Sequence, residues 1–283
     1  MLSRRILRKL VDFQKNLWIH RGAARVYLVV STSYVTKAIV LHSRPFGESD
    51  KIVCFLTEGY GKVTGIAKGA KRSKRRFVNS LEPFSLVNLR FQDYPQRSLA
   101  FIHDCVLVRG FKHLTQNLDR IACASYVTEI TGELIREREE NGAIFQNLQE
   151  GLVYLDENEI SGIFLTCFEL KLLRLAGFDP MFEGCCRCKK KWQSGAGKWS
   201  FSHRDGGILC AACCDSRREI IALSEETLHA FVGFRAQERY ALDSSLTDPK
   251  VVQESRFFLP RFIQFQINKP LKSVRFLDSF CSF

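Results

Sequence analysis

An α+β chain is predicted, β first and α after, with a cysteine-rich module set into the helical part. Three observations predict it: the apolar residues alternate or run in short blocks up to about residue 108, they recur every three or four residues from 111 onward, and six of eleven cysteines fall within thirty residues. At 283 residues the chain is long enough for two domains with real cores. Its longest uncharged apolar run, residues 26–36, has eleven residues, well short of the roughly 18 that span a bilayer, so a transmembrane protein is excluded.

The first element is a basic arm, residues 1–33, with seven cations against Asp12. Ile6, Leu10, Phe13 and Leu17 share one helical face, and Arg4, Arg5, Arg8, Lys9 and Lys15 cover the rest. A membrane-surface or nucleic-acid arm, an organelle presequence and translated leader all fit this pattern, the leader reading best.

Residues 34–109 read as five short strands at 35–41, 51–56, 62–67, 84–91 and 99–108, separated by turn residues such as Pro45-Phe46-Gly47 and Gly59-Tyr60-Gly61. Five such strands in about 75 residues make a small barrel, and periodicity alone does not separate SH3-like from OB. The long connection at 68–83 favours an OB-type barrel. Residues 110–181 form the first part of a helical domain and 218–283 its second part with a C-terminal tail. Three apolar sets mark the first part, one from Leu114 to Leu134, one of Ile144, Leu148, Leu152 and Leu155, and one from Ile163 to Ala176.

Residues 182–217 are the inserted module. Cys185 with Cys188 and Cys210 with Cys213 give two C-x2-C knuckles across a 21-residue spacer, the arrangement that presents four thiolates tetrahedrally to one Zn²⁺. Four cysteines and no His or carboxylate in the set point to a closed, structural site. Cys186 and Cys214 flank the knuckles and are read as neighbours, because only the chosen pairs keep the two-residue gap in both. The odd cysteine count and the lack of a secretory signal point to a reducing compartment.

The net charge of +12 is local: residues 59–81 hold seven cations and no acid, the arm holds +6, and residues 110–180 hold −6. The seven are Lys62, Lys68, Lys71, Arg72, Lys74, Arg75 and Arg76, six of them in the long connection of the barrel. Such a loop binds phosphates of single-stranded nucleic acid, with Tyr60, Phe77 and Phe91 as expected stacking faces. Neutralising about five phosphates would cost roughly a hundredfold in affinity between 50 and 200 mM salt. An RNA-binding role on ribosomal or transfer RNA is the alternative. A nuclease is disfavoured, since Glu137, Glu139 and Glu140 lie in one run spaced for a solvated helix end.

Thr36-Lys37-Ala38-Ile39-Val40-Leu41, Gly47-Glu48-Ser49-Asp50-Lys51-Ile52-Val53, Gly61-Lys62-Val63, Ala67-Lys68-Gly69-Ala70 and Leu81-Glu82-Pro83-Phe84 resemble the opening of the bacterial RecO family of DNA repair proteins. Ala176-Gly177-Phe178 with Pro180, and Gly206-Gly207 before the second cysteine pair, extend the resemblance to about residue 240. It implies a non-enzymatic recombination mediator of the bacterial cytoplasm and nucleoid, with no catalytic residue and no membrane. Such a mediator binds single- and double-stranded DNA, anneals strands, engages the acidic tail of the single-stranded DNA-binding protein, and acts with RecR, often with RecF, to load RecA. The four Cys would be the family's zinc ligands, as scaffold rather than activity, since some relatives lack them. Lys171 and Arg174 are the expected contacts for the acidic tail. Three departures stand out: Lys189 where Gly commonly follows the second Cys, the doubled cysteines, and the arm.

Overall fold

The computed structural model describes residues 15–16, 31–94, 97–195, 197–214, 220–235, 240 and 248–281. Within the arm, residues 31–33 and the strand β1 (Lys15–Asn16) are described; β1 pairs with Thr32 and Ser31, where the apolar spacing expects helix. An open strand edge offers unpaired N–H and C=O groups that outcompete local spacing. The other arm residues named above lie outside the described residues. The chain divides into two compact units, one of residues 1–111 and 135–149, the other of 112–134 and 150–283. Compactness thus assigns residues 135–149 to the barrel, not to the helical part where periodicity puts them.

In the first unit, β2 (Ser31–Phe46), β3 (Asp50–Thr57), β4 (Gly61–Ala67), β5 (Leu86–Asp93) and β6 (Ala100–Arg109) form a closed barrel. The order is β2-β3-β4-β6-β5, with β5 returning to β2, antiparallel except at β4 and β6, which is the OB arrangement. A bulge between Val40 and His42 bends the sixteen-residue β2 so that one strand serves both neighbours. Side chains alternate along β4, with Val63 and Ala67 inward against Val53, Phe55, Leu89 and Ile102. Gly65 makes the parallel closure possible: a Cβ there would stand 2.4 Å from Ile102 Cδ1 and 3.0 Å from the Ala100 carbonyl.

Two of the expected stacking faces belong to this core. Phe77 is 5% and Phe91 0% exposed, because both fill the barrel interior. Tyr60 is half-buried, its ring 4.7 Å from Tyr34 and 5.8 Å from Phe91. The Glu137 to Glu140 run is solvent-exposed, as expected, but it follows the helix that ends at Leu134 and runs along the edge of the barrel. Glu137 pairs with Lys62 in a parallel bridge and accepts a 2.8 Å hydrogen bond from the Thr64 hydroxyl, and the Arg138 N–H donates to the Lys62 carbonyl at 3.0 Å.

The helices are α1 (Leu118–Leu134), α2 (Gly142–Glu157), α3 (Gly162–Leu175), α4 (Glu225–Arg235), α5 (Pro249–Ile267) and α6 (Ser273–Phe280). All but α2 lie wholly in the second unit, and α2 begins in the first. Ser161 caps α3, its Oγ accepting the Phe164 N–H at 3.1 Å, and Asp248 caps α5 ahead of Pro249. On α1 Ala122, Tyr126 and Ile130 are buried as the apolar spacing predicts, but Leu118 is 56% exposed and Cys123, Ala124 and Val127 are buried as well. Small residues let neighbours approach on more than one side. Where the C-terminal tail was expected stands α6, whose start is held by Glu129 accepting the Lys272 and Ser273 N–H groups at 3.0 and 2.8 Å. The cysteine module is a three-stranded antiparallel sheet, β7 (Trp199–Ser202) between β8 (Gly207–Cys210) and β9 (Ile220–Leu223). Its last strand lies beyond residue 217.

Candidate metal centre and nucleic-acid interface

The cysteine site is built by the β7–β8 hairpin and the turns before and after it. The Sγ atoms of Cys185, Cys188, Cys210 and Cys213 all lie within 4.8 Å of one another, and those of Cys188 and Cys210 are 3.6 Å apart. A tetrahedron with metal–sulfur bonds of about 2.3 Å has edges of about 3.8 Å, so the donor set fits such an ion. All four are free thiols. Burial works against ionisation of Cys185, but the N–H groups of Cys188, Cys210 and Arg187 outweigh it and bring the thiol down to about 6. Hydrogen bonds with the Cys188 and Cys210 thiols push Cys213 up to about 12. Four thiolates this close repel one another unless a cation lies between them.

The flanking cysteines stand apart. Cys186 donates its N–H to the Ile208 carbonyl at 2.9 Å, and its Sγ lies 2.3 Å, with the Met181 carbonyl 2.7 Å, from where a Cβ on Gly207 would be, so only glycine at 207 admits both. Arg187 ties the two knuckles, pairing with Asp205 at 3.3 Å and donating to the Cys213 carbonyl at 3.2 Å. Lys189 closes the first knuckle by donating its N–H to the Cys185 carbonyl at 3.0 Å, in a left-handed conformation with φ 62°.

The basic loop is latched to the β2–β3 hairpin. The Lys71 ammonium donates to the Gly47 carbonyl at 2.8 Å and its N–H to the Ser49 carbonyl at 2.9 Å; the Gly69 N–H donates to Asp50 Oδ1 at 2.8 Å. These hydrogen bonds, first from Gly69 and then from the Ser49 hydroxyl, hold the Asp50 carboxyl below the usual carboxylate range. Arg76 folds back to the Lys68 carbonyl at 2.8 Å and over the Phe77 ring. All six loop cations are exposed; Lys71 and Arg76 spend hydrogen bonds on the loop itself, so Lys68, Arg72, Lys74 and Arg75 are taken as the cations that face outward. Lys62 lies apart from the loop on β4, half-buried. Gly47, Ser49 and Asp50, which shape the loop, were legible in sequence only as part of the family-like stretch. In the helical unit, Lys171 is committed to Glu150 at 3.1 Å and to the face of Tyr240, while the Arg174 guanidinium is exposed and donates to the Arg235 carbonyl at 2.9 Å.

Two family models match the chain: Recombination protein O N terminal over residues 32–111, and Recombination protein O C terminal over residues 115–275. Among similar curated proteins, the DNA repair protein RecO of Anaeromyxobacter sp. (strain K) is 35% identical over 240 residues, covering 85% of this chain and 94% of that protein. Those of Myxococcus xanthus (strain DK1622) and Syntrophus aciditrophicus (strain SB) are 34% and 30% identical, over 86% and 87% of this chain and 96% and 95% of theirs. With both of its parts matched, and with a closed five-stranded barrel preceding a helical part that carries the cysteine cluster, the chain belongs to the RecO family of DNA repair proteins.

Proposed function

We propose that the protein is a recombination mediator that performs no chemical step. It binds single- and double-stranded DNA through the basic loop of the barrel and anneals complementary strands. With RecR, and with RecF, it helps load RecA onto strands coated by the single-stranded DNA-binding protein, whose acidic tail it engages in the bacterial cytoplasm. The observation that carries this reading is a cation-rich loop held rigidly on an OB barrel, with four side chains, Lys68, Arg72, Lys74 and Arg75, turned to solvent. Fixed cations accept a phosphate backbone at less conformational cost than a floppy run, and they lower the repulsion between two strands being annealed.

The cysteine cluster holds one Zn²⁺ in this reading, coordinatively closed and bracing the helical unit. Zinc supplies cross-linking here and no Lewis acid, since all four positions are filled by protein. Metal content by mass spectrometry, with zinc at one equivalent, checks this.

The functional test is strand annealing with and without the single-stranded DNA-binding protein, using a Lys68/Arg72/Lys74/Arg75→Ala variant as control. With four outward cations rather than five, single-strand affinity is expected to fall about fiftyfold between 50 and 200 mM salt. The variant is expected to lose most of that dependence and most of the annealing rate while its thermal midpoint stays put. Preference for structured RNA over single-stranded DNA in competition would overturn the reading.

A further inference from the structure

We propose that Phe46 is the base-stacking platform of this barrel, taking an unpaired nucleobase on its ring while adjacent phosphates meet the basic loop. The proposal rests on the DNA-binding reading and deepens it, by naming the group that tells single strands from duplex.

Stacking needs an aromatic face open to water beside fixed cations. Phe55, Phe77, Phe91 and Phe111 are buried, and Tyr34 and Tyr60 pack on Phe91 and on each other. Phe101 is half-buried, edge-on to His103. Phe46 is 47% exposed, and among the described residues of this unit it is the one Phe, Tyr or Trp in that class. A lone exposed phenylalanine is ordinary and carries nothing by itself. Position is what carries the inference.

Phe46 is the last residue of β2 and pairs across the hairpin with Asp50. The next residue, Gly47, accepts the Lys71 ammonium at 2.8 Å; Ser49 accepts the Lys71 N–H at 2.9 Å; Asp50 accepts the Gly69 N–H at 2.8 Å. Three hydrogen bonds thus tie the turn that carries the ring to the loop that carries the cations, so that neither moves without the other. The loop after the first strand of such barrels is also one of the two that grip oligonucleotides. A duplex hides its base faces in the stack, so the ring gains nothing from it. A single strand offers every base as a sequence-tolerant π-face.

Fluorescence anisotropy on a short oligo(dT) strand and on a duplex of equal length tests the proposal, with Phe46→Ala, Phe46→Trp and Lys74→Ala/Arg75→Ala. Expected for Phe46→Ala is a roughly tenfold loss of affinity for oligo(dT), within the range that alanine substitution of a stacking residue produces, with duplex affinity and the salt slope unchanged. Phe46→Trp is expected to restore oligo(dT) binding, with added fluorescence, over that of the wild type's three tryptophans, quenched by oligo(dT) and not by duplex. Equal affinity of Phe46→Ala and wild type, or equal weakening on both probes, overturns the proposal. Should Phe46→Ala fail to fold by circular dichroism, the quench in Phe46→Trp decides alone, and its absence counts against stacking. Indifference of binding to both salt and Lys74→Ala/Arg75→Ala would instead sink the DNA-binding reading, and stacking with it.

Discussion

Lys189 shows what a single residue costs a knuckle. The turn after a C-x2-C pair needs a left-handed residue, and a side chain with a Cβ resists that conformation by about 1 kcal/mol or more. The N–H it donates to Cys185 shows why the conformation is held regardless. Glycine takes it freely, so Lys189→Gly is expected to stabilise the metal-loaded protein by about 0.5–1 kcal/mol, net of the chain entropy glycine adds when unfolded. Thermal unfolding of both metal-loaded forms checks this, and a lower midpoint for the variant would mean the lysine side chain contributes something the backbone does not explain. Cys186 and Gly207 make the complementary point: the thiol beside a ligand lies outside the four-cysteine set and packs where a Cβ on Gly207 would stand.

At the scale of elements, the β2–β3 hairpin and the basic loop act as one piece. Asp50 is its hinge pin, accepting from Gly69 and from Ser49. Asp50→Ala is expected to leave the barrel's thermal midpoint nearly unchanged, to open residues 68–76 to trypsin, and to weaken single-strand binding several-fold. Retained protection against trypsin would show that the Lys71 contacts suffice. The latch also has a pH sign. A carboxyl whose folded pKa lies below its unfolded value stabilises at all pH above the ordinary carboxylate value of 3.8, and that contribution disappears as pH falls through the depressed value. The protection of the Gly69 amide, its exchange rate measured against the intrinsic rate at each pH, is therefore expected to stay constant around neutral pH and to fall only in acid. The sequence marked the loop clearly, since seven cations without an acid stand out in any count. It did not mark the latch, because Gly47, Ser49 and Asp50 are ordinary turn residues until the fold brings residue 69 to residue 50.

At the scale of the whole molecule, the buried trio Tyr126, Glu169 and Arg256 joins α1, α3 and α5. Tyr126 donates to Glu169, and Arg256 pairs with the other carboxylate oxygen. Burial raises the Glu169 carboxyl above its ordinary 4.5 despite the pull of Arg256 and Tyr126. An acid raised in the folded state binds its proton more tightly there, so its contribution is fully present below about 4.5 and declines as pH rises through the folded value. Denaturant melts across that window are expected to show the decline in wild type and not in Glu169→Gln. Arg256→Met leaves a buried carboxylate unpaired and is expected to cost about 3–5 kcal/mol, whereas Tyr126→Phe/Glu169→Leu/Arg256→Met together are expected to recover most of it. A triple variant as unstable as the single one would show that the trio is needed for more than its own neutrality.

Some features of this protein follow from local chemistry alone. Five β segments, a helical remainder, two cysteine knuckles at fixed spacing and one cation-rich connection are each written in consecutive residues, since strand alternation, helical periodicity and C-x2-C spacing are short-range patterns. Other features belong to the tertiary structure. It decided that Phe77 and Phe91 fill the barrel while Phe46 faces water, that residues 135–149 join the barrel unit, and that α6 exists at all. Eight residues are too few to hold a helix without docking. Which aromatic is buried, and which segment completes a strand edge, depends on what arrives from far along the chain, and no window of neighbouring residues contains that information.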